Sequence, residues 1–177
     1  IAAVIAGFLL TAVPNWTGRL PLQGQPLILL FSTWVAGRVA VSISAWIGWG
    51  TAAAIDSLFL ILLAAAAARE IIAGRKWNNL KIVGIVAVLA GVNLAFHLEA
   101  HFRGSADFSV RAGVAAVVLL ITLIGGRIVP SFTRNWLARI NPGRLPAPFG
   151  RFDALAVAAS AIALAAWAGG LLFRGVV

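Results

Sequence analysis

The feature that most constrains this chain is a series of long apolar runs, five of which have about 20 or more residues. As a helix, about 20 residues span about 30 Å, the thickness of the hydrocarbon core of a bilayer. Of all residues, 62% are apolar and 11% are charged, against about 45–50% and about 25% in soluble domains. A water-soluble globule is a poor fit, and the chain is predicted to lie in a lipid bilayer.

The runs predict an all-α fold, a polytopic transmembrane helix bundle with five full spans and one partial N-terminal span. A transmembrane β-barrel would need short segments of strict alternation, and runs such as Ala64–Ala68 show none. The partial span, Ile1–Val13, would be only about 20 Å long as a helix. The full spans are predicted at Pro26–Gly48, Thr51–Ala73, Leu80–His101, Phe108–Pro130 and Phe152–Phe173.

The start of the chain predicts a fragment of a longer protein. The sequence contains no methionine, and its first apolar run is too short to cross the bilayer. We therefore expect residues 1–177 to form a single transmembrane helical domain. Its expected partners are the lipid bilayer and either missing helices of the same chain or neighbouring membrane subunits.

Two connections between the spans are informative. The link Gly48–Gly50 is so short that the second and third spans are predicted to be antiparallel neighbours. Pro130 is predicted to end the fifth span, because proline disfavours helix in the residue before it. Residues 131–151 then form a loop that begins with a short helix in the membrane interface, with apolar side chains on one face and arginines on the other. The alternative is an ordinary connector that carries some aromatic residues.

The formal net charge of +9 does not indicate a nucleic-acid partner, because the basic residues lie between apolar runs and not on one polar face. Their distribution predicts the orientation, since basic residues favour the cytoplasmic side. One side carries eight, namely Arg19, Arg75, Lys76, Lys81, Arg134, Arg139, Arg144 and Arg151, and the other carries Arg103, Arg111 and Arg174. The side with eight, including the 131–151 loop, is predicted to be cytoplasmic.

Two charged residues lie within the predicted spans, where ionisable groups are costly and usually face the bundle interior. Arg38 is near the middle of the second span, and Asp56 is six residues into the third. Folding the hairpin places Asp56 opposite Val41 or Ser42, within reach of the arginine. We predict a structural ion pair between Arg38 and Asp56. Direct contact of Arg38 with a substrate or cofactor is the alternative.

Asn93, His97 and His101 recur at four-residue spacing on the fourth span, so they share one helix face. Histidine within a span is a candidate proton carrier, haem ligand or metal ligand. We take His97 and His101 as candidate metal ligands and Asn93 as a candidate cofactor contact. The alternative is that all three are interfacial polar residues. Glu99 points away from this face and is not an obvious third ligand.

Three segments resemble signatures of a known family. The run Gly7–Arg19 resembles a signature of the NnrS family, Gly125–Leu137 is similar to a second, and Asn93–Glu99 is similar to a weaker third. The resemblance implies a polytopic protein of the bacterial inner membrane that carries haem and copper and helps cells tolerate nitric oxide. It also implies that this chain is roughly the middle half of a protein of about twelve helices. The family's histidine-containing motif just ahead of the first signature would fall before Ile1.

Three function classes follow. The first is a haem-binding integral membrane protein that binds or handles nitric oxide, with His97 the better axial-ligand candidate because it lies inside the third family-like segment. The second is a structural or accessory subunit of a larger membrane complex. The third is a transporter for a small anion, with Arg38 as the binding charge. The sequence contains no P-loop, GxGxxG or GxSxG motif of soluble enzymes.

Overall fold

A computed structural model describes residues 1–140 and 143–170, and its regular secondary structure there is entirely helical. The predicted all-α fold is confirmed. A single 3-10 turn, Trp77–Asn79, precedes the fifth helix. The α-helices are α1 (Ala2–Thr17), α2 (Gln25–Ser42), α3 (Ser44–Ile47), α4 (Trp49–Ala73), α5 (Leu80–Arg103), α6 (Asp107–Ile140) and α7 (Arg151–Ala168).

Five of the described helices are long and apolar enough to cross a bilayer, namely α2, α4, α5, α6 and α7, and α1 is a shorter apolar helix. This matches the prediction of five full spans and one partial span. The predicted end of the last span at Phe173 lies outside the described residues. The orientation, the single domain over residues 1–177 and the membership of a longer chain stay predictions.

The first of two compact units runs from Ile1 to Ser109. Within it α4 is the central helix, and it packs against α1, α2 and α5. These helices are apolar on all sides, as expected of spans that face either lipid or one another. The largest fully buried side chains lie along these contacts and belong to Leu9, Leu63, Ile71, Ile82 and Val86.

The turn between α2 and α4 differs from the expected link and sets the position of Asp56. The short helix α3 follows α2, and only Gly48, with φ 84°, separates it from α4. A positive φ of this size is a conformation that favours glycine. The extra helical turn shifts the register, so the residue opposite Asp56 is Gly37 and not Val41 or Ser42. A Cβ atom on Gly37 would lie 3.1 Å from the Cα atom of Asp56.

The second unit begins at Val110 and contains most of α6 together with α7. The prediction that the helix ends at Pro130 is wrong, because α6 is a continuous helix of 34 residues with Pro130 inside it. That the membrane span itself ends at Pro130 stays a prediction. Proline removes one backbone hydrogen bond, and membrane-spanning helices tolerate it because neighbouring helices or Ser and Thr side chains can satisfy the freed backbone group. The helix expected within the 131–151 loop is therefore the continuation of α6 over residues 131–140. The residues predicted to end it, 141 and 142, lie outside the described part.

Candidate functional site

The carboxylate of Asp56 is the centre of a polar cluster between three helices. Asp56 lies in α4 and is only 6% exposed. Arg38 of α2 donates from Nη2 to its Oδ1 atom. Its Oδ2 atom accepts from Asn93 Nδ2 at 2.9 Å and lies 3.1 Å from Nε2 of His97, both on α5. The Asp56 cluster comprises Arg38, Asp56, Asn93 and His97, together with Ser57, whose Oγ atom lies 3.4 Å from Asn93 Nδ2.

Local sequence explains why the three helices meet at this point. Gly37 has no side chain, so the backbone of α2 approaches α4 closely beside Asp56, and the next residue, Arg38, reaches the carboxylate. On α5, Asn93 and His97 are one helical turn apart, so both side chains point to the same side of the helix. The structure thus brings together the predicted ion pair and two of the three residues of the predicted polar face.

The hydrogen-bond chemistry fixes the role of each ring nitrogen of His97. An ionised carboxylate only accepts hydrogen bonds, so Nε2 of His97 carries the proton that it shares with Asp56. In the neutral ring, the lone pair is then on Nδ1. The single charge of Arg38 balances that of Asp56, so a neutral His97 leaves the cluster without net charge. A neutral cluster is the least costly arrangement in an apolar environment.

Exposure differs sharply within the cluster. The side chain of His97 is 12% exposed, whereas that of Arg38 is 54% exposed. Arg38 therefore lies at the exposed edge of the cluster, with one guanidinium nitrogen directed at Asp56. His97 lies in the interior of the cluster. Its ring is edge-on to that of Phe96, with the centroids 5.6 Å apart.

His101 is not part of the Asp56 cluster. Its ring stacks on Trp49 at the start of α4, with a centroid distance of 4.1 Å and an interplanar angle of 16°. Phe102 packs edge-on against both rings. His101 is exposed at this end of the bundle. The predicted face of α5 is therefore divided between two environments, a buried one at His97 and an aromatic, exposed one at His101.

Sequence reasoning missed two roles of acidic residues. It paired Asp56 with Arg38 alone and did not connect it with His97. It also left Glu99 without a role, whereas the Glu99 carboxylate accepts hydrogen bonds from the backbone N–H groups of Phe108 and Ser109, at 3.2 and 2.8 Å. These are orphan donors in the first turn of α6, so Glu99 caps that helix from the preceding one. An acidic residue just before a turn into a new helix is the sequence signal for such a cap.

The described residues fit one kind of metal ligation and not another. A ligating histidine usually donates its second ring N–H to a carboxylate or carbonyl, and His97 donates to Asp56. With Nε2 directed at Asp56, a metal held by this side chain would bind Nδ1. Among residues 1–140 and 143–170, no group of three or more His, Cys, Asp or Glu side chains is arranged to hold a metal ion. This part of the chain therefore does not fit a copper centre that would need three such ligands.

Comparison with known proteins gives one match. The family model described as NnrS protein matches residues 1–176. That range covers all the described helices and the whole Asp56 cluster. No curated protein and no solved structure shows a significant match.

Proposed function

The chain belongs to the NnrS family, and we propose that it is a haem-binding integral membrane protein of the bacterial inner membrane that acts in the response to nitric oxide. In this proposal His97 is the axial ligand of the haem. Five helices that can cross a bilayer make a multi-pass membrane protein. The family and the membrane-spanning fold support the general role, and the chemistry of His97 supports the specific one.

The observation that carries the proposal is the hydrogen bond of 3.1 Å between Nε2 of His97 and Oδ2 of Asp56. Carboxylate–histidine pairs of this kind are typical of metal-ligating histidines, because the acceptor fixes both the tautomer and the ring orientation. In the observed orientation Nε2 faces Asp56, so iron would bind Nδ1, which is the more crowded ring nitrogen because it lies beside the Cβ atom. Bound haem would supply an iron atom to which nitric oxide can coordinate.

The other residues of the Asp56 cluster act on His97 through the carboxylate. Asn93 donates to the same Oδ2 atom that accepts from His97, and Arg38 donates to Oδ1. Together they keep Asp56 ionised and in place, so that the ring of His97 cannot rotate without losing its acceptor. Hydrogen bonding to the carboxylate also makes the imidazole a more basic ligand.

His101 is not a ligand in this proposal. The ring of His101 is engaged with Trp49 and Phe102, so His97, one turn away on the same face of α5, is the residue that would hold the iron. The stacking of His101 on Trp49 instead suits a residue at the membrane surface, where amphipathic aromatic rings collect.

Absorption spectroscopy of the purified protein tests the proposal. We expect His97→Ala to abolish the Soret band at unchanged expression, because the iron loses its axial ligand. His101→Ala is the matched control, since it removes the same ring from the same helix one turn away, and it should keep the band. The proposal is wrong if purified wild-type protein has no haem absorbance, or if His97→Ala keeps a wild-type spectrum.

A further inference from the structure

The length of α6 is the starting point, because it exceeds what a bilayer can hold. Its 34 residues make a helix of about 51 Å, against a hydrocarbon core of about 30 Å. Residues 112–126 contain no charged side chain and are flanked by Arg111 and Arg127. Centring the core on that stretch leaves about ten residues, from roughly Pro130 to Ile140, beyond the hydrocarbon.

An apolar stripe runs along α6 from the edge of the hydrocarbon to the end of the helix. Val129, Phe132, Trp136 and Ile140 follow one another at intervals of three or four residues, so they share one helix face. Each is at least 60% exposed. A stripe of this kind is unfavourable in water, and it matches the apolar face of helices that lie in the headgroup region. Trp136 is of the residue type most enriched there.

The charge of the same segment is entirely positive. Arg134 and Arg139 are exposed, and Arg139 adjoins the stripe whereas Arg134 lies on the opposite helix face. Between Phe108 and Phe152 the sequence contains six arginines and no Asp or Glu. A cationic surface without acidic residues complements the phosphates of anionic lipids, and each basic residue near such a membrane contributes roughly a five-fold gain in binding.

We propose that residues 129–140 of α6 form a binding surface for the headgroups of anionic phospholipids. The stripe lies at the level of the acyl-chain boundary, and the two arginines contact phosphates. The helix reaches the surface by bending near Pro130, whose missing N–H removes a backbone hydrogen bond. Gly125 and Gly126 in the preceding turn make the helix easier to bend there. A lipid surface is favoured over a protein partner because the adjoining residues of the same helix hold this segment beside the headgroups.

A spin label at residue 133 tests this inference on the complete protein. The sequence has no cysteine, so Thr133→Cys gives a single labelling site at the edge of the stripe. The labelled protein is placed in vesicles of phosphatidylcholine alone or with one third phosphatidylglycerol. Accessibility to oxygen, which dissolves in lipid, is compared with accessibility to a water-soluble nickel chelate. We expect phosphatidylglycerol to move the label from chelate-accessible to oxygen-accessible.

Variants of the arginines show whether charge causes the shift. Replacing Arg134 and Arg139 by glutamine should reduce the ratio of lipid-buried to water-exposed label by on the order of 25-fold in phosphatidylglycerol vesicles. Replacing both by lysine keeps the charge and should restore most of the ratio. Arg103→Gln, at the end of α5, should leave the ratio unchanged.

Three outcomes overturn the inference. The first is equal accessibility in the two kinds of vesicle, and the second is a lysine variant that behaves like the glutamine variant. The third is a label that is shielded from the chelate only when soluble protein is added, which would make this face a protein-binding surface. None of these outcomes depends on whether the protein binds haem.

Discussion

Asp56 is the residue that joins the three helices of the polar cluster. Its buried carboxylate accepts hydrogen bonds from Arg38, Asn93 and His97. A carboxylate within an apolar bundle is stable only when it is paired and hydrogen-bonded. Removing one partner from such a buried pair typically costs roughly 3–5 kcal/mol, because the other charge is left uncompensated.

We therefore predict that Arg38→Leu and Asp56→Leu each lower the free energy of unfolding by roughly 3 kcal/mol. The double variant should lose clearly less than the sum of the two, since neither charge is then left alone. Equilibrium unfolding in mild detergent, evaluated as a double-mutant cycle, measures this coupling.

The Arg19–Glu70 ion pair, with a distance of 2.6 Å, is the control for this cycle. Arg19 lies beyond the end of α1, where water screens the charges, whereas Arg38 lies within an apolar span. We therefore expect the coupling energy of Arg19 with Glu70 to be below about 1 kcal/mol. Equal coupling in the two cycles, or simple additivity at Arg38 and Asp56, would contradict the buried-pair interpretation.

Sequence reasoning named four of the residues that the structure brings together, Arg38, Asp56, Asn93 and His97, and missed one connection between them. Asp56 is seven residues from the start of α4, and His97 is six residues from the end of α5, which are depths of about 10 and about 9 Å. These helix ends lie at the same end of the bundle, where Trp49 contacts Phe102. The similar depths of Asp56 and His97 could therefore have suggested that these two side chains meet. Which faces of α4 and α5 meet depends on packing across the bundle, which sequence spacing does not determine.

At the scale of elements, the close contact of α2 with α4 depends on Gly37. An added Cβ atom would meet both the Cα and Oδ1 atoms of Asp56 at 3.1 Å, and backbone atoms there cannot move without separating the helices. We predict that Gly37→Ala lowers the free energy of unfolding by roughly 1–3 kcal/mol. It should also weaken the pairing of Arg38 with Asp56.

Gly91→Ala in α5 is the matched control for this prediction. No atom lies within 4 Å of the added Cβ, and alanine is favoured over glycine within a helix by roughly 0.5–1 kcal/mol. The control should therefore be neutral or slightly more stable in the same detergent unfolding measurement. A Gly37 variant as stable as the Gly91 variant would show that the close approach of α2 and α4 is not required.

The ends of helices could be predicted where hydropathy changes abruptly. They could not be predicted from a single helix-breaking residue such as proline within a long apolar run. The start of α5 at Leu80 was predicted correctly, because polar residues precede an apolar run there. Pro130 did not end α6, since membrane-spanning helices tolerate a proline when other groups satisfy the freed backbone group. The four-residue helix α3 was missed because a single turn leaves no periodic signal in the sequence.

At the scale of the whole molecule, the fold class followed from the sequence because a bilayer accepts only helices or closed barrels. The number and approximate length of the spans then followed from the hydrocarbon thickness. A cofactor site is different, since it requires side chains from several helices to meet at one depth. For that reason the sequence could name His97 as a ligand candidate but could not identify Asp56 as its hydrogen-bond partner.

The absorption spectrum of the purified protein, reduced and then exposed to nitric oxide, shows whether His97 holds a haem that binds nitric oxide. We expect a haem Soret band in the reduced wild-type protein and a shift of that band when nitric oxide is added. His97→Ala should show neither the band nor the shift, because His97, held by Asp56, is the proposed ligand. A reduced wild-type protein with no Soret band, or with a band that nitric oxide leaves unchanged, would contradict this expectation.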